Sequence, residues 1–191
     1  GVDRCGKSTQ AARLTEALGA KAMRFPDRTT AIGTMINSYL AQGVEMDDRA
    51  VHLLFSANRW ESKATIEETL ASGTHIVCDR YAYSGVAFSG AKEGLDVEWC
   101  ANPDRGLPAP DCVLYLDLTI EQAMERGQFG EERYEKESFQ RSVQGNFRAL
   151  MAKEAEVGAS ATPWHIIDAS KGKDVLHEEI MALALAAARY A

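Results

Sequence analysis

Gly1-Val2-Asp3-Arg4-Cys5-Gly6-Lys7-Ser8 carries the spacing G-x-x-x-x-G-K-[ST]. Chemically this is a phosphate-binding loop. Glycines let the backbone curl until successive N–H groups point inward at a polyphosphate, the lysine reaches the outer phosphates, and the serine hydroxyl ligates Mg²⁺. Thr9 onward reads as a helix whose N-terminal dipole adds positive potential at the phosphates. Arg4 places a second cation inside the loop, where charge develops during phosphoryl transfer. The motif alone also fits a glycine-rich turn capping an ordinary helix. The sequence does not begin with Met, and a hydrophobic strand is expected ahead of Gly1.

Further along the chain, Ile76-Val77-Cys78-Asp79 has the form of a Walker B strand, apolar residues and then an acid that can orient Mg²⁺ beside Lys7 and Ser8. Arg80 follows at once, so one group can serve the metal and its neighbour phosphate oxygens. Arg28 follows Phe25-Pro26-Asp27 just after another short strand. Phe55 and Arg59 lie one helical turn apart and share a face, which suits stacking on a planar heterocycle and donating to its exocyclic oxygen. From spacing alone the plainer reading is preferred: Phe55 in the core and Arg59 a solvated helix charge. Tyr81, Tyr83, Ser84 and Phe88 either pack in the core or line a pocket beside the phosphates. Gly127 to Glu135 combines two glycines with a dense polar run and reads as a lid that excludes water, or else as an exposed connection.

These residues need a scaffold, and the chain supplies alternating elements. Helices are expected at Thr9–Leu18, Thr30–Gln42, Asp48–Ser72 as one long element, Tyr83–Lys92, Ile120–Arg126, Ser138–Val157 and Val175–Tyr190. Short apolar strands are expected at Ala22–Phe25, His75–Cys78, Cys112–Leu118 and His165–Asp168, with Leu95–Pro110 irregular. This alternation predicts an α/β fold, three layers with a mostly parallel sheet between helices, in one domain over residues 1–191. The loop, Asp79-Arg80 and Asp168 then fall at the carboxyl edge of the sheet, where such folds bind ligands.

Composition narrows the partners. The chain has 191 residues, 46% of them hydrophobic and 26% charged, and a net charge of −7, which argues against nucleic acid. An anionic ligand must be held by local arginines rather than by the overall field. No apolar run approaches the ~20 residues of a membrane span. The four cysteines, Cys5, Cys78, Cys100 and Cys112, are scattered and read as reduced thiols of a cytoplasmic protein, with nuclear or organellar targeting left open.

Taken together and in order, the motifs resemble the thymidylate kinase family of eukaryotic type. The resemblance rests on residues 1–10, Arg24-Phe25-Pro26-Asp27-Arg28, His52–Trp60, Asp79–Phe88, Gly106–Asp111, Phe129–Glu135 and Asp168–Lys171. It implies a phosphate-loop nucleoside monophosphate kinase with a short lid at about 127–136, moving the γ-phosphate of Mg·ATP to dTMP to give dTDP and ADP. It also assigns roles. Arg4, Lys7, Asp79 and Arg80 become catalytic, and Ser8 and Asp79 hold Mg²⁺. Gly1, Arg4, Cys5, Gly6, Lys7, Ser8 and Thr9 cradle the ATP phosphates, with Arg126 stacking on adenine and Ser170 and Lys171 near the base. On the acceptor side Phe55 stacks on thymine and Arg59 bonds its O4, while Arg28 and Arg80 grip the monophosphate. Asp3 lies near the 3′-hydroxyl and Phe88 disfavours a 2′-hydroxyl, with Phe25, Tyr81, Ser84, Gly85 and Tyr134 completing the pocket. The resemblance further implies a homodimer, and neither nucleic acid nor membrane as partner.

Three departures stand out: Cys5 where the family more often has alanine, a short stretch between Leu18 and Phe25, and a long one at Glu154–Pro163. The rival readings are a deoxynucleoside kinase, which would not need Arg28 for an acceptor phosphate, and a non-catalytic nucleotide-binding module. A guanine-binding N-K-x-D is absent, which counts against a GTPase switch.

Overall fold

The computed structural model describes residues 1–126, 132–158 and 161–188. Helix α1, Lys7–Leu18, starts directly from the loop and stops at Gly19, whose left-handed backbone (φ 58°) lets its N–H return to Glu16 O. Strand β1, Lys21–Arg24, leads to α2, Ala31–Leu40, capped by the Thr30 hydroxyl. Helix α3, Asp48–Trp60, is capped by Asp47, and α4 is Lys63–Ala71. The single helix expected from 48 to 72 is thus two. The last turn of α3 tightens through Ser62 N donating to Arg59 O, and the Glu61 carboxylate is drawn sideways by Thr30 and Asn58. Periodicity runs across this break and conceals it.

Strand β2, Ile76–Asp79, is followed by α5, Ala82–Ser89. The stretch read as irregular contains α6, Val97–Ala101, capped by Asp96, and a 3₁₀ turn at Asn102–Asp104. Then come β3, Val113–Asp117; α7, Ile120–Glu125, with a Thr119/Gln122 capping box; α8, Glu137–Val157; β4, Trp164–Asp168; and α9, Lys173–Ala187. The expected lid residues Gly127–Glu131 and the helix end at Tyr190 lie outside the described residues.

Strand alternation shows how the layers form. Leu114 and Leu116 of β3 pack with Leu14, Ile120, Ile167 and Ile180 on the α1/α7/α9 side. Tyr115, between them, packs with Ala87, Val143 and Phe147 on the α5/α8 side. Each fully buried aliphatic or aromatic side chain stabilises the fold by about 1.5–3 kcal/mol. A third cluster, Ile36, Tyr39, Leu40 and Val51, joins α2 to α3.

All described pairing is parallel, but it falls into two pairs, β1 with β2 and β3 with β4, rather than one sheet. A cavity of about 310 Å³ lies between them, lined by Val77 and Cys78 on one side and Leu114 and Leu116 on the other. Cys78 lines this cavity, and the protein atoms packed around it push its thiol up to about 12. Register aligns Arg24 with Asp79 and Asp117 with Asp168, so the polar strand ends share one edge.

Candidate active site

At that edge the loop curls over α1. Gly6 has φ +96°, and Arg4 (φ 63°) and Arg80 (φ 68°) also sit in the left-handed region. Such a backbone costs a residue with a Cβ about 1 kcal/mol or more, and it concentrates where geometry serves chemistry. Gly1 packs against the Leu116 carbonyl and Cys5 is buried beside it, so these two form the base of the loop. Lys7 Nζ donates to Val2 O at 2.6 Å and lies 3.6 Å from Cys5 Sγ. Burial is the largest single influence on the Cys5 thiol and would raise it, but the positive charges of Lys7, the Gly1 amine and Arg80 together outweigh it and hold the thiol below its ordinary value.

Ser8 Oγ donates to Asp79 Oδ2 at 2.6 Å. The other carboxylate oxygen, Asp79 Oδ1, is buried with no hydrogen-bond partner among the described residues. A hydroxyl and an orphaned carboxylate oxygen are hard ligands that fit Mg²⁺.

Beside the loop opens a pocket of about 320 Å³ between α3, α5 and the ends of β1 and β2. All the expected acceptor-side residues line it, and so do Arg4, Gly6, Lys7, Ser8 and Thr9 of the loop. Its two ends differ in character. At one end Phe55 and Arg59 project from α3. Arg59 is not the solvated charge that spacing alone suggests. Its Nε donates to Asp104 Oδ1 at 3.0 Å and its Nη2 to Asp104 Oδ2 at 2.7 Å, and the side chains are only 2% and 4% exposed. The partner is 45 residues away, beyond any helix pattern.

The other end is rich in ion pairs. Arg28 donates to Asn37 Oδ1 and to Glu132 Oε1, both at 2.8 Å. Arg80 is paired with Asp3 and lies 4.9 Å above the Phe88 ring. Burial favours a neutral Asp3, yet the charges of Arg80 and Lys7 prevail and keep its carboxyl ionised below the usual range. The Arg4 guanidinium binds Glu135 Oε1 at 2.7 Å. Phe25 tilts against Tyr81, whose hydroxyl burial pushes up to about 12. Tyr134 stacks on Phe139, with ring centroids 5.0 Å apart, and faces Phe88; burial raises its hydroxyl well above the ordinary phenol value. Ser84 and Gly85 form the α5 wall.

Buried amides that the sequence reading did not single out hold this array. Gln140 of α8 accepts from Asp3 N at 2.9 Å and donates to Asp3 Oδ2 at 2.7 Å and Tyr134 O at 2.9 Å. Asn58 of α3 clamps the 27–30 segment, accepting from Asp27 N at 2.7 Å. A polar residue at an apolar helix position is the one sequence signal that could have found either.

The expected donor-side residues lie around the loop and the β4 end. Arg126 Nη2 donates to Ala169 O at 2.7 Å and Nη1 reaches Arg4 O at 3.5 Å, bridging the two segments. Ser170 donates twice to Asp168 Oδ1, and the resulting hydrogen bonds lower that carboxyl. Lys171 pairs with Glu179 at 2.6 Å.

A triphosphate loop facing a second, arginine-lined pocket at the edge of a parallel α/β core defines the class: a phosphate-loop nucleoside monophosphate kinase. Comparison with known proteins makes this specific. The family model for thymidylate kinase matches residues 1–180. Human thymidylate kinase is 48% identical over 100% of this chain and 90% of its own length, and the zebrafish (Danio rerio) enzyme is 47% identical over 96% and 86%. The solved thymidylate kinase of Candida albicans superposes with a TM-score of 0.86 at 37% identity, covering 96% of this chain and 87% of that one. The chain belongs to the thymidylate kinase family.

Proposed function

We propose a division of labour within this pocket for the family's reaction, phosphorylation of dTMP to dTDP with ATP as donor. The observation that carries it is one cavity lined by both the loop lysine and a buried arginine beside an aromatic ring. Phosphoryl transfer asks little covalent chemistry of a protein, so catalysis is positioning and charge stabilisation. Thymine stacks on Phe55 with O4 at Arg59, which sends the 5′-phosphate to the Arg28/Arg80 end. Asp3, ionised and fixed by Gln140, meets the sugar 3′-hydroxyl, and Phe88 blocks a 2′-hydroxyl. Phe25, Tyr81, Ser84, Gly85 and Tyr134 enclose the nucleotide.

From the donor side Gly1 to Thr9 cradle the ATP phosphates, Arg126 stacks on adenine, and Ser170 and Lys171 lie near the base. Lys7, Arg4 and Arg80 oppose the charge spreading over the transferred group, with arginine forks holding two oxygens at once. Ser8 and Asp79 would hold Mg²⁺, which neutralises phosphate charge. The residues form a single kinase domain. Leu53 and Trp60, two turns apart on α3 and both exposed, supply apolar surface for a homodimer, which sedimentation velocity tests. Among the described residues no helix is long and apolar enough to cross a membrane. The net charge of −7 fits small-molecule rather than nucleic-acid partners, and four free cysteines fit the reducing cytoplasm.

The test is a coupled assay over dTMP, dUMP, dCMP and thymidine. Turnover should require the monophosphate and favour a 4-oxo pyrimidine. Phosphorylation of thymidine alone returns the deoxynucleoside kinase reading.

A further inference from the structure

We infer that Asp104, on the 3₁₀ turn between α6 and β3, is a positioning residue that makes the base end of the pocket selective for a neutral carbonyl oxygen. This rests on Arg59 being the residue that meets the base. A guanidinium has five N–H donors. Nε and one Nη2 hydrogen are taken by Asp104, in a fork whose carboxylate also accepts from Ser56 Oγ at 2.8 Å. Arg59 lines the pocket, so the remaining donors, on Nη1 and Nη2, are those a substrate can use. Gly85 leaves room for them: a Cβ there would lie 2.7 Å from Nη2 and 3.0 Å from Nη1. Arg59, forked to Asp104, is not free to move aside.

Pairing also sets the charge. A bare buried guanidinium draws in an anion, and the substrate's own phosphate is the anion at hand. Asp104 cancels that charge while leaving the donor edge intact. The base end is therefore a neutral, oriented donor that accepts a 4-oxo group and turns a 4-amino group away, donor facing donor. The charge that attracts phosphate is left to the Arg28/Arg80 end, where the Glu132 partner of Arg28 is exposed and can be displaced, and the pocket acquires a direction.

The experiment compares kcat/KM for dTMP and dCMP on one preparation of D104N, a ratio that does not depend on the folded fraction. An amide places an NH₂ against a guanidinium N–H, so the fork opens. The dTMP:dCMP ratio should fall about tenfold or more, the worth of one well-aligned hydrogen bond to a charged group. The loss should sit in KM for dTMP, with saturating kcat changed by less than about threefold. An unchanged ratio in D104N, alongside a lowered ratio in R59A, overturns the inference and leaves the reading of Arg59 standing. An unchanged ratio in R59A overturns both. Should D104N fail to fold, S56A, which removes the 2.8 Å bond to Asp104, is read in the same way: a smaller fall supports the inference and an unchanged ratio sinks it.

Discussion

The two ends of the acceptor pocket use the same ion pair, arginine with carboxylate, in opposite settings. Arg59–Asp104 is 2% and 4% exposed, and both partners belong to packed elements. Arg28–Glu132 is 38% and 43% exposed, and its carboxylate comes from the segment that follows the lid residues. Arg4–Glu135 falls between, at 28% and 6%. A pair sealed from water cannot exchange partners without stranding a charge, so it is scaffold. A pair open to water can trade its carboxylate for a phosphate at little cost. Identical chemistry therefore yields a fixed ruler at the Arg59 end and, in Arg28–Glu132, a replaceable grip at the other.

The sharpest test of that gradient lies at its middle. Arg4→Ala should lower kcat by roughly 10³ or more, the range for an arginine acting at the transition state, while ATP affinity measured by titration changes little. A near-normal kcat removes Arg4 from catalysis. Asp104→Ala should cost about 3–5 kcal/mol in denaturant unfolding, because it leaves Arg59 buried and uncompensated. Gly85→Ala, by crowding Arg59, should cost about 1–3 kcal/mol and raise KM for dTMP more than it lowers kcat; unaltered kinetics would show that the donor edge has slack.

His52 probes the packing behind the ruler. Its ring binds Ser89 Oγ and the Cys100 carbonyl, and burial, aided by Arg59, lowers its basicity. An imidazole that protonates less readily when folded gives stability that is full above its ordinary titration at about pH 6.5 and is lost as acid is added below it. The denaturant midpoint should therefore drop between about pH 7.5 and pH 5.5, and His52→Gln should flatten that slope. The smallest effect belongs to the exposed pair. Glu132→Ala should change stability by no more than about 1 kcal/mol and leave KM for dTMP equal or lower. A loss as large as that of Asp104→Ala would erase the distinction between the two ends.

What the sequence revealed follows from range. The loop, the acid after β2, Arg28 after β1 and the Phe55/Arg59 face each depend on neighbours within a turn or a strand end; the structure gathers the loop, Arg28, Phe55 and Arg59 around one pocket and ties Asp79 to the loop through Ser8. Asp104 escaped because its partner lies 45 residues away and its segment, dense in proline, reads as loop. Gln140 and Asn58 escaped because a buried amide looks like a surface residue until its partners are known. The break between α3 and α4 escaped because apolar spacing continues while the Glu61 side chain is pulled away from the helix axis.

One consequence follows from the face of α3 that holds the 100–104 segment. His52, Ser56 and Trp60 bond the carbonyls of Cys100 and Pro103, while Arg59 holds Asp104. The base pocket is thus stitched to a short segment whose own backbone closure, Arg105 N to Asn102 O and Leu107 N to Asp104 O, is local. A nucleotide that meets Arg59, as proposed above, should steady that side chain and so damp the opening of the segment. Amide hydrogens at Arg105 and Leu107 should therefore exchange with deuterium more slowly when dTMP is bound, and the nucleotide will be felt at two N–H groups of a segment that does not line its pocket.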